Sequence, residues 1–339
     1  MAAYTTIDNP ELYFQTKLYS GDGNDDRSIT LDGSENMQPD IVWIAERNTT
    51  SGHMIYDSQR GASEFLFPHS TRNRETSTSR FKSFNSDGFT VGTSGASNGS
   101  SDTYVAWCWK ESVTAGMDIV LYTGDGSSRT ISHSLSQIPG WMIVKNREFD
   151  PDDVSNGTNW DVWHSSLTAT SGKNLLLNAT NAEASDASKF NSAPTSSVFG
   201  VNTNNGVNKA DDPYFNYLWS AKQGYSKFGS YTGNGNADGP FVYLGFRPAF
   251  LIYKSRDAVK SWYLNDNKRD PHNPCDGVIL PDATDAENAS HGNKIDFLSN
   301  GFKSRSTGST VNSSGAVYVY MAFAESPFVN SNGVPTNAR

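Results

Sequence analysis

The sequence has few basic residues and no long apolar run. Lysine and arginine number 27 against 36 acidic residues, so the formal net charge of −9 predicts a surface that repels nucleic acid. No stretch approaches the roughly 18 consecutive apolar residues that span a bilayer, which predicts no membrane insertion. Residues 1–15 lack the basic and apolar regions of a secretory signal, so we expect the protein to be made and folded in a cytosol.

Cysteine is also scarce. Cys108 and Cys275 are too few for a disulfide framework or a four-ligand zinc site, and we expect both thiols to stay reduced. The six histidines share no spacing with one another or with carboxylates. The sequence therefore predicts a protein that is not an enzyme, with no catalytic residue, no metal ligand and no cofactor.

Two short stretches match the sequence patterns of known functional sites in part. "GASNG" at 95–99 matches a nucleophile elbow, but it lies in a Gly/Ser loop before a strand, so we interpret the match as coincidence. "DGNDD" at 22–26 supplies the first spaced oxygens of a calcium loop, yet Arg27 stands where such a loop needs glycine. A surface turn is the favoured interpretation, and a calcium site in one loop is the alternative.

The residues that are abundant indicate β-structure. Gly, Ser, Thr and Asn separate short apolar runs that alternate on a two-residue period in places, as in "NGSSDTYVAWCWK" at 98–110. The hydrophobic content of 36% is sufficient for real cores. We therefore predict an all-β protein whose strands are joined by turns.

One glycine turn occurs three times. It reads "LYSGDG" at 18–23, "LYTGDG" at 121–126 and "SYTGNG" at 230–235. We expect each copy to start a first hairpin, with glycines that hold a positive φ. The first glycines of the three turns are Gly21, Gly124 and Gly233.

A proline and an arginine recur after each turn, always eight residues apart. The pairs are Pro39 and Arg47, Pro139 and Arg147, and Pro248 and Arg256. The proline suits the first residue of a strand, and the apolar run after it predicts a strand that is covered on both faces or central to a sheet. Each unit then closes on an aromatic strand that begins near Tyr104, Tyr214 or Tyr318.

The three marks keep their order and distance, which predicts three homologous units of about 105 residues, the usual size of an independent domain. We predict three tandem jelly-roll-like antiparallel β-sandwich domains. The predicted boundaries are an N-terminal docking arm at 1–17, repeats at 18–112, 113–221 and 222–329, and a C-terminal tail at 330–339. The arm is expected to dock onto the first domain or onto another protein.

The opening "YTTIDNPELYFQTKLYSGDG", with "PDIVWIAER", "YDSQRG" and "YVAWCWK", resembles a repeat domain of tail, fibre or other virion-associated proteins of marine tailed bacteriophages. Those domains are similar to concanavalin-A-like or laminin-G-like jelly rolls. The resemblance implies a β-sandwich located on a virus particle, and it implies no catalytic residues. The expected partners are other virion subunits, including further copies of this chain as a homo-oligomer.

The sequence thus favours a non-enzymatic structural protein of a tailed-phage virion, associated with the tail or a fibre. A capsid decoration protein is one alternative. A carbohydrate-binding adhesin or a polysaccharide depolymerase is another, with a host surface glycan as partner. All of these share the same expected location, the virion, after synthesis in the host cytoplasm.

Two sets of residues are candidate ligand contacts. Tryptophans stack on the apolar faces of sugars, and four of them lie near recurring strands, although that position favours a role in the core. They are Trp141, Trp160, Trp163 and Trp262. The recurring arginine is expected to pair with a carboxylate or with turn carbonyls of its domain, and a ligand site repeated three times is the alternative.

Overall fold

A computed structural model describes residues 3–147, 158–288 and 292–336. Almost all regular structure in these ranges is antiparallel β-strand, which confirms the predicted all-β class. Helical structure there is limited to three short turns. These are η1 (Pro10–Leu12), α1 (Gly95–Asn98) and α2 (Asn205–Asn208).

The strands fall into three successive groups. The first repeat contains β1 (Phe14–Ser20), β2 (Arg27–Ile29), β3 (Ile41–Glu46), β4 (Met54–Asp57), β5 (Glu64–Phe65), β6 (Glu75–Thr76), β7 (Phe81–Asn85), β8 (Gly88–Val91) and β9 (Thr103–Trp109). The second contains β10 (Met117–Thr123), β11 (Arg129–Ser132), β12 (Trp141–Asn146), β13 (Asp161–His164), β14 (Lys173–Leu176), β15 (Ala184–Ser185), β16 (Val198–Val201) and β17 (Pro213–Trp219). The third contains β18 (Ser226–Thr232), β19 (Phe241–Tyr243), β20 (Phe246–Ser255), β21 (Tyr263–Asp266), β22 (Ile295–Leu298), β23 (Gly301–Ser304) and β24 (Val317–Pro327).

Each repeat has a larger sheet and a smaller sheet, and the first repeat has in addition the two-stranded sheet β5-β6. The larger sheets have the orders β1-β9-β3-β4, β10-β17-β12-β13-β14-β15 and β18-β24-β20-β21, and the smaller ones β2-β8-β7, β11-β16 and β19-β23-β22. The first and last strands of every repeat pair with each other, for example from Phe14 opposite Trp109 to Ser20 opposite Thr103. The chain therefore enters and leaves each repeat at one end of the sheet, which is why short linkers suffice.

Two kinds of hydrophobic core hold the strands. Each repeat has its own cluster between its larger and smaller sheets. A further cluster takes residues from all three repeats, and Trp109 there lies 6.3 Å from Trp219 and 5.9 Å from Phe323 between ring centroids. Because the larger sheets are covered on both faces, β3 and β12 are buried at every position, as the sequence predicts.

The recurring glycine turn does not start a hairpin, because β1 belongs to the larger sheet and β2 to the smaller one. The positive φ falls on the second glycine, at 74° for Gly23, and not on Gly21. Gly21 is required for a different reason, since a Cβ there would lie 2.0 Å from the carbonyl oxygen of Gly99. Gly124 and Gly233 make the same close backbone approach, to Lys209 and Ser313.

A buried asparagine holds each of these turns. The Asn98 amide accepts from the backbone N–H of Asp22 at 3.1 Å and donates to the Asn24 carbonyl at 2.8 Å. Asn208 and Asn312 make the corresponding bonds in the other repeats. The turn therefore recurs because two glycines allow the backbones to approach and one asparagine satisfies their polar groups.

The recurring prolines lie near the strand starts but do not open them. Pro39 and Pro139 precede β3 and β12 by two residues, whereas Pro248 lies inside β20. The register of β20 against β24 shifts on both sides of Pro248, which makes this position a bulge. Proline has no N–H to give to a ladder, and a bulge is where a strand tolerates that loss.

The terminal segments meet at the third repeat. Thr5 donates its hydroxyl to the Gln223 carbonyl at 2.7 Å, and the Tyr4 hydroxyl donates to the Gly245 carbonyl at 2.8 Å. β1 already begins at Phe14, so residues 14–17 of the predicted arm belong to the first larger sheet. The backbone N–H of Ser331 in the tail donates to Asp8 at 2.6 Å. Residues 337–339 of the tail lie outside the described residues.

Candidate functional site

The four tryptophans considered as sugar contacts are core residues. Trp141, Trp160, Trp163 and Trp262 are each at most 2% exposed, because their strands lie between a repeat's own core and the shared cluster. Trp141 and Trp262 pack against each other across two repeats, with ring centroids 5.4 Å apart. Their faces are covered by protein, so they form no sugar platform in this structure.

Their indole N–H groups also join the repeats. Trp160 in the second repeat donates to the Phe67 carbonyl of the first at 2.9 Å. Trp262 in the third repeat donates to the Leu176 carbonyl of the second at 2.8 Å. Since a buried indole N–H needs an acceptor, each of these bonds fixes one repeat against the preceding one.

Each recurring arginine pairs with a carboxylate of a different repeat, and Arg256 also pairs with Asp257 of its own repeat at 3.2 Å. The pairs and their shortest N–O distances are Arg47–Glu287 at 2.5 Å, Arg147–Glu64 at 3.5 Å and Arg256–Glu183 at 3.8 Å. The first repeat thus binds the third, the second binds the first, and the third binds the second. The repeats contact in cyclic order, and we call this arrangement the closed ring.

Buried Asp–Arg pairs reinforce two of the three contacts. Asp57 pairs with Arg60, and neither side chain is exposed. Tyr217 of the second repeat donates its hydroxyl to Asp57 at 2.6 Å. Asp266 likewise pairs with Arg269 at 2.5 Å and accepts from the Trp107 indole of the first repeat at 3.0 Å. Such buried charges cost desolvation, which their mutual pairing and added hydrogen bonds offset.

The second repeat replaces this Asp–Arg pair by His164 and Leu167. His164 donates from Nε2 to the Tyr320 carbonyl of the third repeat at 3.1 Å and accepts on Nδ1 from the Ser166 N–H at 2.9 Å. Burial lowers the pKa of His164 to about 4, so the ring is neutral at pH 7. A neutral imidazole thus makes the contact that an aspartate makes in the other two repeats.

Two buried lysines lie at the same position of the second and third repeats. Lys145 donates to the Thr71 carbonyl of the first repeat at 2.9 Å, and Lys254 donates to the Thr180 carbonyl of the second at 3.0 Å. Burial lowers the pKa of Lys145 to about 7 and that of Lys254 to about 8. The first repeat has Ala45 at this position, so its contact with the third lacks such a lysine.

The two stretches that imitate known sites have structural partners. Ser97 of "GASNG" is buried and donates its hydroxyl to the Arg80 carbonyl at 2.9 Å. In "DGNDD", Asp25 and Asp26 pair with Lys82 at 2.6 and 2.9 Å. Across 3–147, 158–288 and 292–336, no group of three or more His, Cys, Asp or Glu side chains could hold a metal ion.

An exposed aromatic surface lies on the third repeat. Phe241 and Tyr243 are on β19, at the edge of the smaller sheet, with 46% and 48% of their surface exposed. They flank the buried Val242, so they share one face. The Tyr4 hydroxyl lies 3.2 Å from that of Tyr243 and connects the pair to the N-terminal segment. We call Tyr4, Phe241 and Tyr243 the aromatic patch.

Polar side chains surround the aromatic patch. The ammonium of Lys227 lies 5.4 Å from the centre of the Tyr243 ring and donates to the Tyr243 carbonyl at 2.7 Å. Next to Tyr4, a groove of about 340 Å³ is lined by Lys222, Gln223 and other residues. The patch therefore combines exposed rings with hydrogen-bond donors and positive charge.

The other two repeats provide an internal comparison for this patch. Ile29, Ile131 and Val242 occupy the same place, since each lies opposite a phenylalanine of the neighbouring strand. The residues on either side are exposed hydroxyl residues in repeats one and two and the two aromatic residues in repeat three. They are Ser28 and Thr30, Thr130 and Ser132, and Phe241 and Tyr243. The aromatic pair is thus specific to the third repeat and is not among the residues that recur in all three.

The fold and the patch define an all-β protein of three repeats closed into a ring, with one repeat that carries an exposed aromatic surface. The chain belongs to the family described as a domain of unknown function, DUF7483, whose model matches residues 9–327 and so spans all three repeats. No curated protein matches the chain. Among the described residues, no helix has the length and apolar character needed to cross a membrane.

Proposed function

We propose that the chain is a non-enzymatic structural protein of a tailed-phage virion, associated with the tail or a fibre. The closed ring is the observation that carries this proposal. The arginine that recurs in every repeat pairs with a glutamate of another repeat, so the repeated charge joins the repeats to one another. A rigid unit with large β faces suits repeated contacts with other subunits, and the resemblance of the opening residues to virion repeat domains supports the location.

Gold labelling of purified particles with an antibody against the recombinant protein tests the location. Label on the tail or fibres is the expected result. Label over the capsid would favour a decoration protein instead, and particles without label, from a lysate that contains the protein, would overturn the proposal. Pre-adsorption of the antibody with recombinant protein is the matched control.

A second function, an adhesin for a surface glycan, is favoured by the aromatic patch. Exposed tyrosine and phenylalanine rings offer apolar faces to sugar C–H groups, and the flanking lysines and the amide of Gln223 offer hydrogen bonds. The two functions are compatible, because a structural subunit can contact other subunits through one face and bind a glycan through another. Binding of the recombinant protein to purified host-surface polysaccharide tests this second function.

A further inference from the structure

We infer that the aromatic patch, with Lys222, Gln223 and Lys227, binds an acidic polysaccharide. The inference deepens the adhesin function and rests on it, but it is tested on the isolated protein. A protein that binds purified host-surface polysaccharide but not hexagalacturonate would overturn the inference and leave the adhesin function standing.

The shape of the surface favours a sugar chain. Phe241 and Tyr243 are two residues apart on one strand, which separates their Cα atoms by about 7 Å on the same face. Both rings remain roughly half exposed although the sheet beneath them is packed. Gly301 lies opposite Tyr243, and a Cβ there would lie 2.1 Å from the Val242 carbonyl oxygen and 3.0 Å from the Phe241 ring, so the Phe241 ring lies beside a position that carries no side chain. Two exposed rings on one face suit the faces of consecutive sugars.

The charges beside the patch favour an acidic ligand. The chain carries a net charge of −9, yet two lysines stand beside the patch. Within the described residues, neither Lys222 nor Lys227 has a carboxylate within 4.0 Å, unlike the paired Lys303 on the neighbouring strand. Burial lowers the pKa of both lysines, so an anion at this place would stabilise their charged form. The carboxylates of an acidic sugar chain supply that anion.

The polar groups of the patch favour a glycan over a protein partner. The core of a protein interface is depleted of lysine, whereas here an ammonium covers part of the Tyr243 ring. The groove beside Tyr4 carries amides from Gln137 and Gln223. Exposed rings beside amide and ammonium donors match a ligand that has both C–H faces and hydroxyls.

The experiment measures binding of hexagalacturonate, with neutral maltohexaose as the comparison, by isothermal titration of the full chain. Hexagalacturonate is expected to bind more tightly than maltohexaose. Tyr243→Ser places the hydroxyl residue of the second repeat at this position and is expected to weaken binding about tenfold. Thr130→Ala, at the position in the second repeat that corresponds to Phe241, is the matched control and is expected to leave binding unchanged.

Lys227→Gln tests the charge. It is expected to weaken hexagalacturonate binding and to reduce its salt dependence, with no effect on maltohexaose. The thermal unfolding of every variant is measured first, so that a loss of binding is not a loss of fold. Absence of binding to hexagalacturonate at millimolar concentration would overturn the inference. Equal binding of both sugars, or binding that survives Tyr243→Ser, would overturn it as well.

Discussion

The hydroxyl of Tyr217 lies 2.6 Å from Oδ2 of Asp57, although 160 residues separate them along the chain. Tyr217 belongs to the second repeat and Asp57 to the first, and both are fully buried. Arg60 completes the group, since its guanidinium pairs with Asp57 and donates to the Tyr217 hydroxyl at 3.0 Å. One hydroxyl of the second repeat thus hydrogen-bonds to both members of a buried ion pair in the first repeat.

Tyr217→Phe is expected to lower the free energy of unfolding by about 1–3 kcal/mol, because it removes a hydrogen bond from a buried charge without changing the volume of the ring. Urea denaturation followed by tryptophan fluorescence measures the change. Tyr243→Phe is the control, and its exposed hydroxyl predicts a change within about 0.5 kcal/mol. Equal effects of the two substitutions would contradict the role assigned to Tyr217.

A double-mutant cycle tests the contact that closes the ring. Arg47→Gln and Glu287→Gln, alone and together, are expected to give a coupling free energy of about 0.5–1 kcal/mol, since both side chains are partly exposed and solvent weakens the pair. The cycle of Arg47 with Glu183 is the control. Glu183 pairs with Arg256 instead, so its coupling to Arg47 should vanish within about 0.5 kcal/mol.

Gly124→Ala is expected to destabilise the protein by about 1–3 kcal/mol or more, because the new Cβ would lie 1.9 Å from the Lys209 carbonyl oxygen and neither backbone can move freely. Gly95→Ala is the matched control, since no atom lies within 4 Å of a Cβ there. Thermal unfolding of the two variants compares them. If Gly124→Ala were tolerated as well as Gly95→Ala, close approach would not explain the recurring glycine.

The buried Lys145 predicts a pH dependence of stability. Its pKa falls from 10.5 to about 7 on folding, so between these values the unfolded chain binds more protons than the folded one. The free energy of unfolding should therefore rise with pH across this window, by up to about 1.4 kcal/mol per pH unit for this group, and the penalty is complete below pH 7. Denaturation between pH 7 and 9 measures the slope.

Lys145→Met should flatten that slope, because methionine keeps much of the apolar stem and carries no proton. Lys209→Met is the control, since the side chain of Lys209 is 53% exposed and its loss should leave the slope as it is. A Lys145→Met protein with an unchanged slope would show that this lysine does not titrate as described.

The all-β class and the strands near each proline could be predicted because turn residues and apolar runs are local signals that recur along the chain. The cyclic contacts could not. The recurring arginine is visible in the sequence, but its partners Glu64, Glu183 and Glu287 lie in segments of different length that share no pattern. Local periodicity also does not reveal that a strand such as β12 contacts another repeat on its second face.

The fate of the tryptophans has the same cause. A tryptophan near a strand is consistent with a core residue or with a sugar contact until the neighbouring repeat is known. Trp262 is a core residue because the second repeat covers it, and the Leu176 carbonyl of that repeat accepts its N–H. The aromatic patch has the opposite character. Phe241 and Tyr243 replace the hydroxyl residues that stand at these positions in the other two repeats. Residues that recur in all three copies therefore do not include them, and only the differences between aligned copies indicate them.

The closed ring on one polypeptide has a consequence for how such a protein changes over time. In an assembly of three identical chains, every substitution appears three times, and a destabilising substitution lowers the stability of all three copies. In the single chain, a substitution changes only one of the three repeats. Two repeats can therefore keep the ring contacts while the third gains a different exposed surface. Because the three repeats are covalently joined, the ring does not dissociate on dilution, and its stability does not depend on the concentration of the chain.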